Sequence, residues 1–332
     1  MWIEKRKIGR VRITALTMCI LCTLSLCGCA MIGSLFGGGD DTGIAEEPVD
    51  ASVGFRRTVL YFETDDGQMV PVMKLLPWEE GIGRAALNQL VDTDTNRISA
   101  AAMGLKNVVP PGVSFVLSIG DDAIATVDIL ELPALADAQA EQNMITAVVN
   151  TLTEFSRIEQ VEFLFDGKEK KKLPHGTAVN TVFSTQALNV EPLAVSAGTD
   201  EQYPVTLYFP NRAASLQIPV TRMVNTEPDL FLAMEQLAQG PADNSLRACF
   251  PANTEVLAAE IENDVVMVNF SQEFLALSDT PDIEQAAIAS MQLTAKQFGE
   301  ASALHIQVEG TDYCPASSVT MAVPQFANEY RL

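Results

Sequence analysis

A chain of 332 residues with 43 acidic and 21 basic residues carries a formal charge of −22. That surface repels nucleic acid and anionic headgroups, so neither is bound through charge. The 48% of hydrophobic residues is enough to build a substantial core.

The first predicted element is an export signal. MWIEKRKIGRVR sets Lys5, Arg6, Lys7, Arg10 and Arg12 against Glu4, and the almost uncharged ITALTMCILCTLSLCGC follows. A basic region, an apolar run and small residues before a cut site make a secretory leader. The run falls slightly short of the ~20 residues of a comfortable membrane span. It ends in LCGC, which resembles a lipobox, with Leu26 at the hydrophobic position, Gly28 small and Cys29 the residue to be lipidated. Cys27 stands where Ala or Ser is usual. The competing reading is an uncut signal anchor; the polar stretch directly after Cys29 favours cleavage. A metal site of Cys19, Cys22, Cys27 and Cys29 is disfavoured, because thiolate ligands need a folded polar shell. Residues 1–28 are expected to be discarded. Five basic residues and one acidic one leave with them, taking the charge from −22 to −26. The lipid must hold the protein against that repulsion. One acyl chain alone binds marginally, and mature bacterial lipoproteins usually carry more than one.

Residues 29–55 read as the lipidated Cys29 and a linker rich in Gly, Asp and Glu that builds no core. About 26 residues of such chain reach roughly 28 Å r.m.s.. The remaining length suggests two domains.

Those domains are copies. TVLYFETDDGQMVPV and VTLYFPNRAASLQIPV align Leu60-Tyr61-Phe62 with Leu207-Tyr208-Phe209 at an offset of 147. Each reads as two strands. A helix follows. In the second copy, NTEPDLFLAMEQLAQGP offers Thr226 as cap, Pro228 in the first turn, and a Gly240-Pro241 stop. In the first copy it is GRAALNQLVDT. The offset then drops to 141, leaving six extra residues in the first copy's loop DTNRISAAAMGLKN. VPPGVSFVLSIGDDAIATVDI and FPANTEVLAAEIENDVVMVNF each read as a hairpin with an acidic turn. At an offset of 143, Ile145, Val148, Leu152 and Phe155 match Ile288, Met291, Ala295 and Phe298 along one helical face. A last strand closes each copy, QVEFLFDG and ALHIQVEG. The expected fold is α+β: two tandem repeats, each a mainly antiparallel sheet with two helices packed on one face. The stretch from 190 to 203 has linker composition, so the halves are expected to fold separately.

The LYF strand, the LAQGP helix end, the PANT and PPGV turns, the TLTEF and QLTAKQF helices and the VEFLFDG strand together resemble the GerMN domain. The resemblance covers 56–190 and 202–325. A lipobox followed by two such copies is similar to the GerM lipoproteins of spore-forming bacteria. It implies a role in sporulation and germination, a place on the outer face of the cell membrane between mother cell and forespore, and partners among envelope or sporulation-complex proteins. It implies no catalytic residue and no cofactor.

Chemistry read from the residues agrees with that. His175 lies in a turn-like KKLPHGTAV, and His305 alternates outward on a strand. A Cys–His pair of His305 with Cys249 or Cys314 lacks a third orienting group. The paired acids Asp65-Asp66, Glu79-Glu80 and Asp121-Asp122 read as solvated turns. GGGDD precedes no phosphate-loop helix, and the basic KEKKK (168–172) reads as a solvated turn. Cys249 and Cys314 admit two readings. Export permits a disulfide if the Pro251 loop and the end of the last strand meet; otherwise they are two ordinary thiols. The leading expectation is a non-enzymatic, membrane-anchored assembly protein. The alternative is a lipid-anchored binding protein for a peptide or cell-wall fragment.

Overall fold

The computed structural model describes residues 54–79, 81–192, 201–316 and 320–330. The leader, Cys29 and the linker up to residue 53 lie outside these, as do Glu80 and residues 193–200 of the interdomain stretch, and Phe55, expected in the linker, opens the first strand.

The first copy opens with the antiparallel pair β1 (Phe55–Thr64) and β2 (Met69–Pro77). Next come α1 (Ile82–Leu90), α2 (Asp94–Ala101) and β3 (Leu105–Lys106), which adds to the second edge of β1. β4 (Ser114–Ile119) and β5 (Ile124–Leu130) form a hairpin. The helix α3 (Ala138–Thr153) then crosses over to β6 (Gln160–Phe165), which lies parallel to β5. In the second copy β7 (Tyr203–Pro210) and β8 (Gln217–Val224) pair, and α4 (Leu230–Ala238) follows. β9 (Val256–Glu262) and β10 (Val265–Phe270) pair antiparallel. Then α5 (Pro281–Ala295) crosses to β11 (Ala303–Val308), parallel to β10, and β12 (Thr311–Asp312) closes the sheet.

The repeated order of strands and helices is as the sequence predicts, and the fold is α+β with mostly antiparallel pairing. One refinement concerns layering. Each copy carries two small sheets rather than one, ordered 2-1-3 and 4-5-6, then 7-8 and 9-10-11-12. The helices α1 and α3 touch β1 on one side and β4 and β6 on the other, so they lie between the two sheets. That explains why α3 is buried around most of its circumference, from Met144 and Ile145 to Val149 and Leu152. A helix sandwiched in this way cannot show a single apolar stripe.

The first copy's longer connection, with its six extra residues, is not a loop but holds α2 and β3. Thr93 caps α2 by accepting a hydrogen bond from the Asn96 amide at 3.2 Å, and Asp94 sits in the first turn. The helix of the second copy starts later than expected. Asp229, not Thr226, is its cap, accepting from Leu232 N at 2.8 Å. Pro228 lies outside the helix. Gly240, at φ 79°, ends it as predicted.

Two matched details fix the copies' shape. Asp166-Gly167 and Glu309-Gly310 both turn with positive φ, and each glycine amide donates to a side chain of the preceding strand, Asp128 and Asn269, at 3.0 Å. Glu141 and Glu284 are fully buried at equivalent points of α3 and α5. Glu141 accepts from the amides of His175 (2.7 Å) and Thr177 (3.2 Å); Glu284 accepts from Tyr313 Oη (2.5 Å) and the amide of Ala316 (3.0 Å). Each carboxylate thus anchors the loop beyond the last long strand of its copy. Burial alone opposes ionisation of Glu141, but the amides and the Thr177 hydroxyl outweigh it and hold the carboxyl below its ordinary 4.5. A depressed folded value means stability that is present above the unfolded value and is lost as pH falls through the folded one. The stability advantage of the native chain over Glu141→Gln is therefore expected to be full above pH 4.5 and to shrink below it. Equilibrium unfolding across that range checks this; a constant difference contradicts it.

Candidate functional site

The two copies meet along β2 and β8, and the buried apolar residues of both form one continuous core. What joins them is a reciprocal exchange of tails. After the first copy, Asn189 accepts from Met69 N at 2.8 Å and donates to Met69 O (2.8 Å) and to Pro219 O of the second copy (2.7 Å). After the second copy, Asn328 accepts from Gln217 N at 2.8 Å and donates to Gln217 O (2.9 Å) and to Pro71 O of the first copy (3.0 Å). Pro71-Val72 and Pro219-Val220 are the same point of the repeat, so the two asparagines make the same bonds with the copies interchanged. The flanking backbone does likewise. Leu188 O and Glu191 N bond to Thr221 on β8; Asn328 O and Tyr330 N bond to Met73 on β2. Each tail therefore lies along the second strand of the other copy.

Side chains seat the tails. Buried Asn150 on α3 bonds to both backbone groups of Gln186, at 2.7 and 2.9 Å. Gln292 on α5 donates to the carbonyls of Thr320 and Ala322. Beyond each asparagine, a cation on the other copy closes the latch. Arg222 grips Glu191 through both oxygens, at 2.6 and 3.1 Å, and donates to the carbonyls of Gln236 and Gly240 at the end of α4. The side chains of this pair are only 14% and 9% exposed. At the equivalent place in the first copy, Lys74 stands over the Tyr330 ring, 5.0 Å from its centre.

Several clefts border the seam, and two of them are lined by residues of β1 or β2 together with residues of the second copy. One, of about 670 Å³, is lined by Gln68, Asn143, Asn189, Glu191 and Asp243 among others. Several of its polar groups are engaged within the protein: Gln68 donates to Asp243 at 2.7 Å and to the Ser245 hydroxyl, and Asn143 donates to Glu63 at 2.7 Å. The other, of about 520 Å³, holds Tyr61, Tyr208, Glu154 and Lys296. Tyr61 donates to Glu154 at 2.6 Å. Burial, then the Glu154 charge, pushes Tyr61 up; burial raises Glu154 as well, against the Tyr61 hydrogen bond and the Lys296 charge. Lys296 donates to the carbonyls of Pro324 and Gln325 and so holds the second tail.

Of the candidates for chemistry, Asp66 lines the 670 Å³ cleft, and the histidines and the KEKKK lysines line neither of these two clefts. His175 sits on an exposed turn with its ring Nε2 at 2.8 Å from Leu135 O. His305 pairs with Asp312 at 3.0 Å, not with a thiol. Asp65 pairs with Lys106 at 3.0 Å, and Asp122 accepts from the amide of Ile124 in its own turn. The lysines of KEKKK are exposed. Among the described residues no group of three metal-ligating side chains occurs, and no helix is long and apolar enough to cross a membrane.

Cys249 and Cys314 are both free thiols in the structure, so the bridged reading is not realised there. Cys249 is 1% exposed with its sulfur 3.7 Å from Tyr208 O, whereas Cys314 follows the short edge strand β12 in the open. Burial pushes the Cys249 thiol up to about 12. A thiol reagent should label Cys314 in the native protein and Cys249 only after unfolding. Absence of both labels under denaturing, non-reducing conditions would show a bridge.

A family model described as Germane, sporulation and spore germination, matches residues 59–171 and 206–314. The chain belongs to the Germane family. Each match covers one copy, so the repeat is a tandem of Germane domains. The chain is 26% identical over 261 residues to the spore germination protein GerM of Bacillus subtilis strain 168, covering 76% of this chain and 71% of that protein. The solved tandem GerMN domains of the sporulation protein GerM from Bacillus subtilis align with a TM-score of 0.65 at 22% identity, over 83% of this chain and 100% of that one. That likeness is one of fold. The sequence of this Germane chain points to Tyr61 and Tyr208 as repeated strand residues, but not to Asn189, Asn328, Glu191 or Arg222. The signal was present as Gln186-x-x-Asn189 and Gln325-x-x-Asn328, the same spacing after each copy, with the second lying past the expected end at 325.

Proposed function

We propose that this chain is a non-enzymatic assembly protein of sporulation or spore germination, held by lipid on Cys29 to the outer face of the cell membrane. In a spore former that face borders the space between mother cell and forespore. Its partners are proteins of an envelope complex.

The observation that carries the assembly reading is a pair of strand edges, one in each copy, with no strand partner among the described residues. The sheets containing β4 and β9 both end on those strands. Val116 and Leu257, at the same point of the repeat, are 54% and 43% exposed on them. Unpaired strand edges with apolar side chains are surfaces for protein contact. A ligand-binding reading is less well supported, because Gln68, Asn189 and Asp243 in the 670 Å³ cleft bond between the copies.

Anchoring is tested with Cys29→Ala in the native host. The variant is expected to remain an uncut precursor, with no mature lipid-linked form and a loss of efficient spore formation or germination. A variant with the mature mass, still bound to membranes, would contradict the anchor.

A further inference from the structure

The second tail covers the middle of the hairpin β1–β2, where Met73 bonds to residues 328–330, and its Gln325 accepts from Arg57 at 2.9 Å. The end of the hairpin next to Gly54 exposes Phe55, Leu75 and Pro77 beside the charged Arg57. Phe55 lies opposite Pro77, and Leu75 lies two residues along the same face. Trp78 follows, its amide donating to Gly54 O at 2.8 Å. Phe55 is 39% exposed, Leu75 57% and Trp78 37%. The repeat supplies an internal control. The equivalents of Phe55, Pro77 and Trp78 in the second copy are Gln202, Asn225 and Thr226, all polar and exposed, while that of Leu75 is the half-buried Met223. The same hairpin thus folds without the aromatic residues, and their presence in the first copy answers to something outside the fold.

Position says what that is. Gly54 is where the described chain continues from the linker, and Cys29 lies within about 28 Å r.m.s. along it. We infer that Phe55, Leu75, Pro77 and Trp78 form a membrane-contact patch that lays the first copy against the bilayer surface beside its own anchor. The inference rests on the lipid anchor proposed above. Aromatic side chains favour the headgroup level, where an apolar ring meets water. A patch of this size would not recruit an acidic protein by itself. Tethering makes the contact intramolecular, with an effective concentration on the order of millimolar. The consequence is orientation: the second copy, which lacks aromatic residues at the same place, faces away from the lipid toward partners.

Trp78 reports on this directly. The chain has two tryptophans, and Trp2→Phe leaves Trp78 alone whether or not the leader is cut. The full-length gene is expressed in a lipidating bacterial host. The protein is then reconstituted into phosphatidylethanolamine–phosphatidylglycerol vesicles with plain or brominated acyl chains. Expected are flotation with the vesicles and quenching of Trp78 by brominated lipid to about half its intensity in plain vesicles. Phe55→Gln with Pro77→Asn, the residues of the second copy, should cut that quenching at least about twofold without changing flotation. Leu75→Gln serves the same comparison if the double variant unfolds. Flotation with Trp78 equally bright in both lipids overturns the patch alone and assigns it to a protein contact. Failure to float removes the anchor and this inference with it.

Discussion

Arg222→Ala is expected to destabilise the protein by about 3–5 kcal/mol, because it leaves a largely buried carboxylate without its charge partner and with only the Ala242 amide bonded to one oxygen. Arg222 holds both oxygens of Glu191 and two carbonyls at the end of α4, and little of either side chain meets water. The tail of the first copy would be left with its charge facing the seam. Glu191→Ala should cost as much or less, since the guanidinium keeps the carbonyls of Gln236 and Gly240. The double substitution should cost clearly less than the sum of the two. Arg222→Lys keeps the charge and loses the forked geometry, so it should fall between native and Ala. Urea unfolding of the four chains measures this. Additive losses would mean that Glu191 and Arg222 act separately.

Asn328→Ala is the second large loss, about 2–4 kcal/mol, since three hydrogen bonds vanish and the Gln217 amide is left unpaired in a buried place. Asn328 is 7% exposed. Asn189→Ala removes the same three bonds from a less buried position and should cost less. Neither residue belongs to the core of its own copy, so the loss should fall on the joint between copies. A drop in stability with unchanged resistance of residues 186–192 and 320–330 to proteolysis would contradict the latch.

This joint also changes an expectation drawn from the sequence. Linker composition at 190–203 predicts halves that fold apart. Yet a cut there separates Asn189 from Pro219, and Asn328 from Pro71, leaving β2 and β8 without the tails that cover them. Tandem copies with short tails can join only if each tail reaches across. Composition records the linker and is silent on the reach.

The repeat itself was legible because strands and helices that bury the same face must keep the same spacing. Leu60-Tyr61-Phe62 and Leu207-Tyr208-Phe209 show it, as do the Asp166-Gly167 and Glu309-Gly310 turns. Sheet layering was not legible, because α3 is apolar around most of its surface and so does not say how many sheets it touches. The cap of α4 was misplaced at Thr226 because two candidate caps, Thr226 and Asp229, lie three residues apart, and only the backbone decides between them. For the seam, the relevant residues are asparagine, glutamate and arginine, types that usually mark surface. Their burial arises from contact between copies, which no local pattern encodes. The free state of Cys249 and Cys314 has the same origin, since only the packing directs one thiol into the core and the other to solvent.

The central claim is that two copies, fixed to one another, hold other envelope proteins together at the membrane. The most direct measurement is affinity capture of the anchored protein from membranes of sporulating cells, followed by mass spectrometry. It is run beside a chain carrying both Asn189→Ala and Asn328→Ala. The native chain should retain a reproducible set of envelope proteins, and the doubly substituted chain, still anchored, should lose most of them. Capture of no protein by the native chain, or the same set by both, would contradict the account.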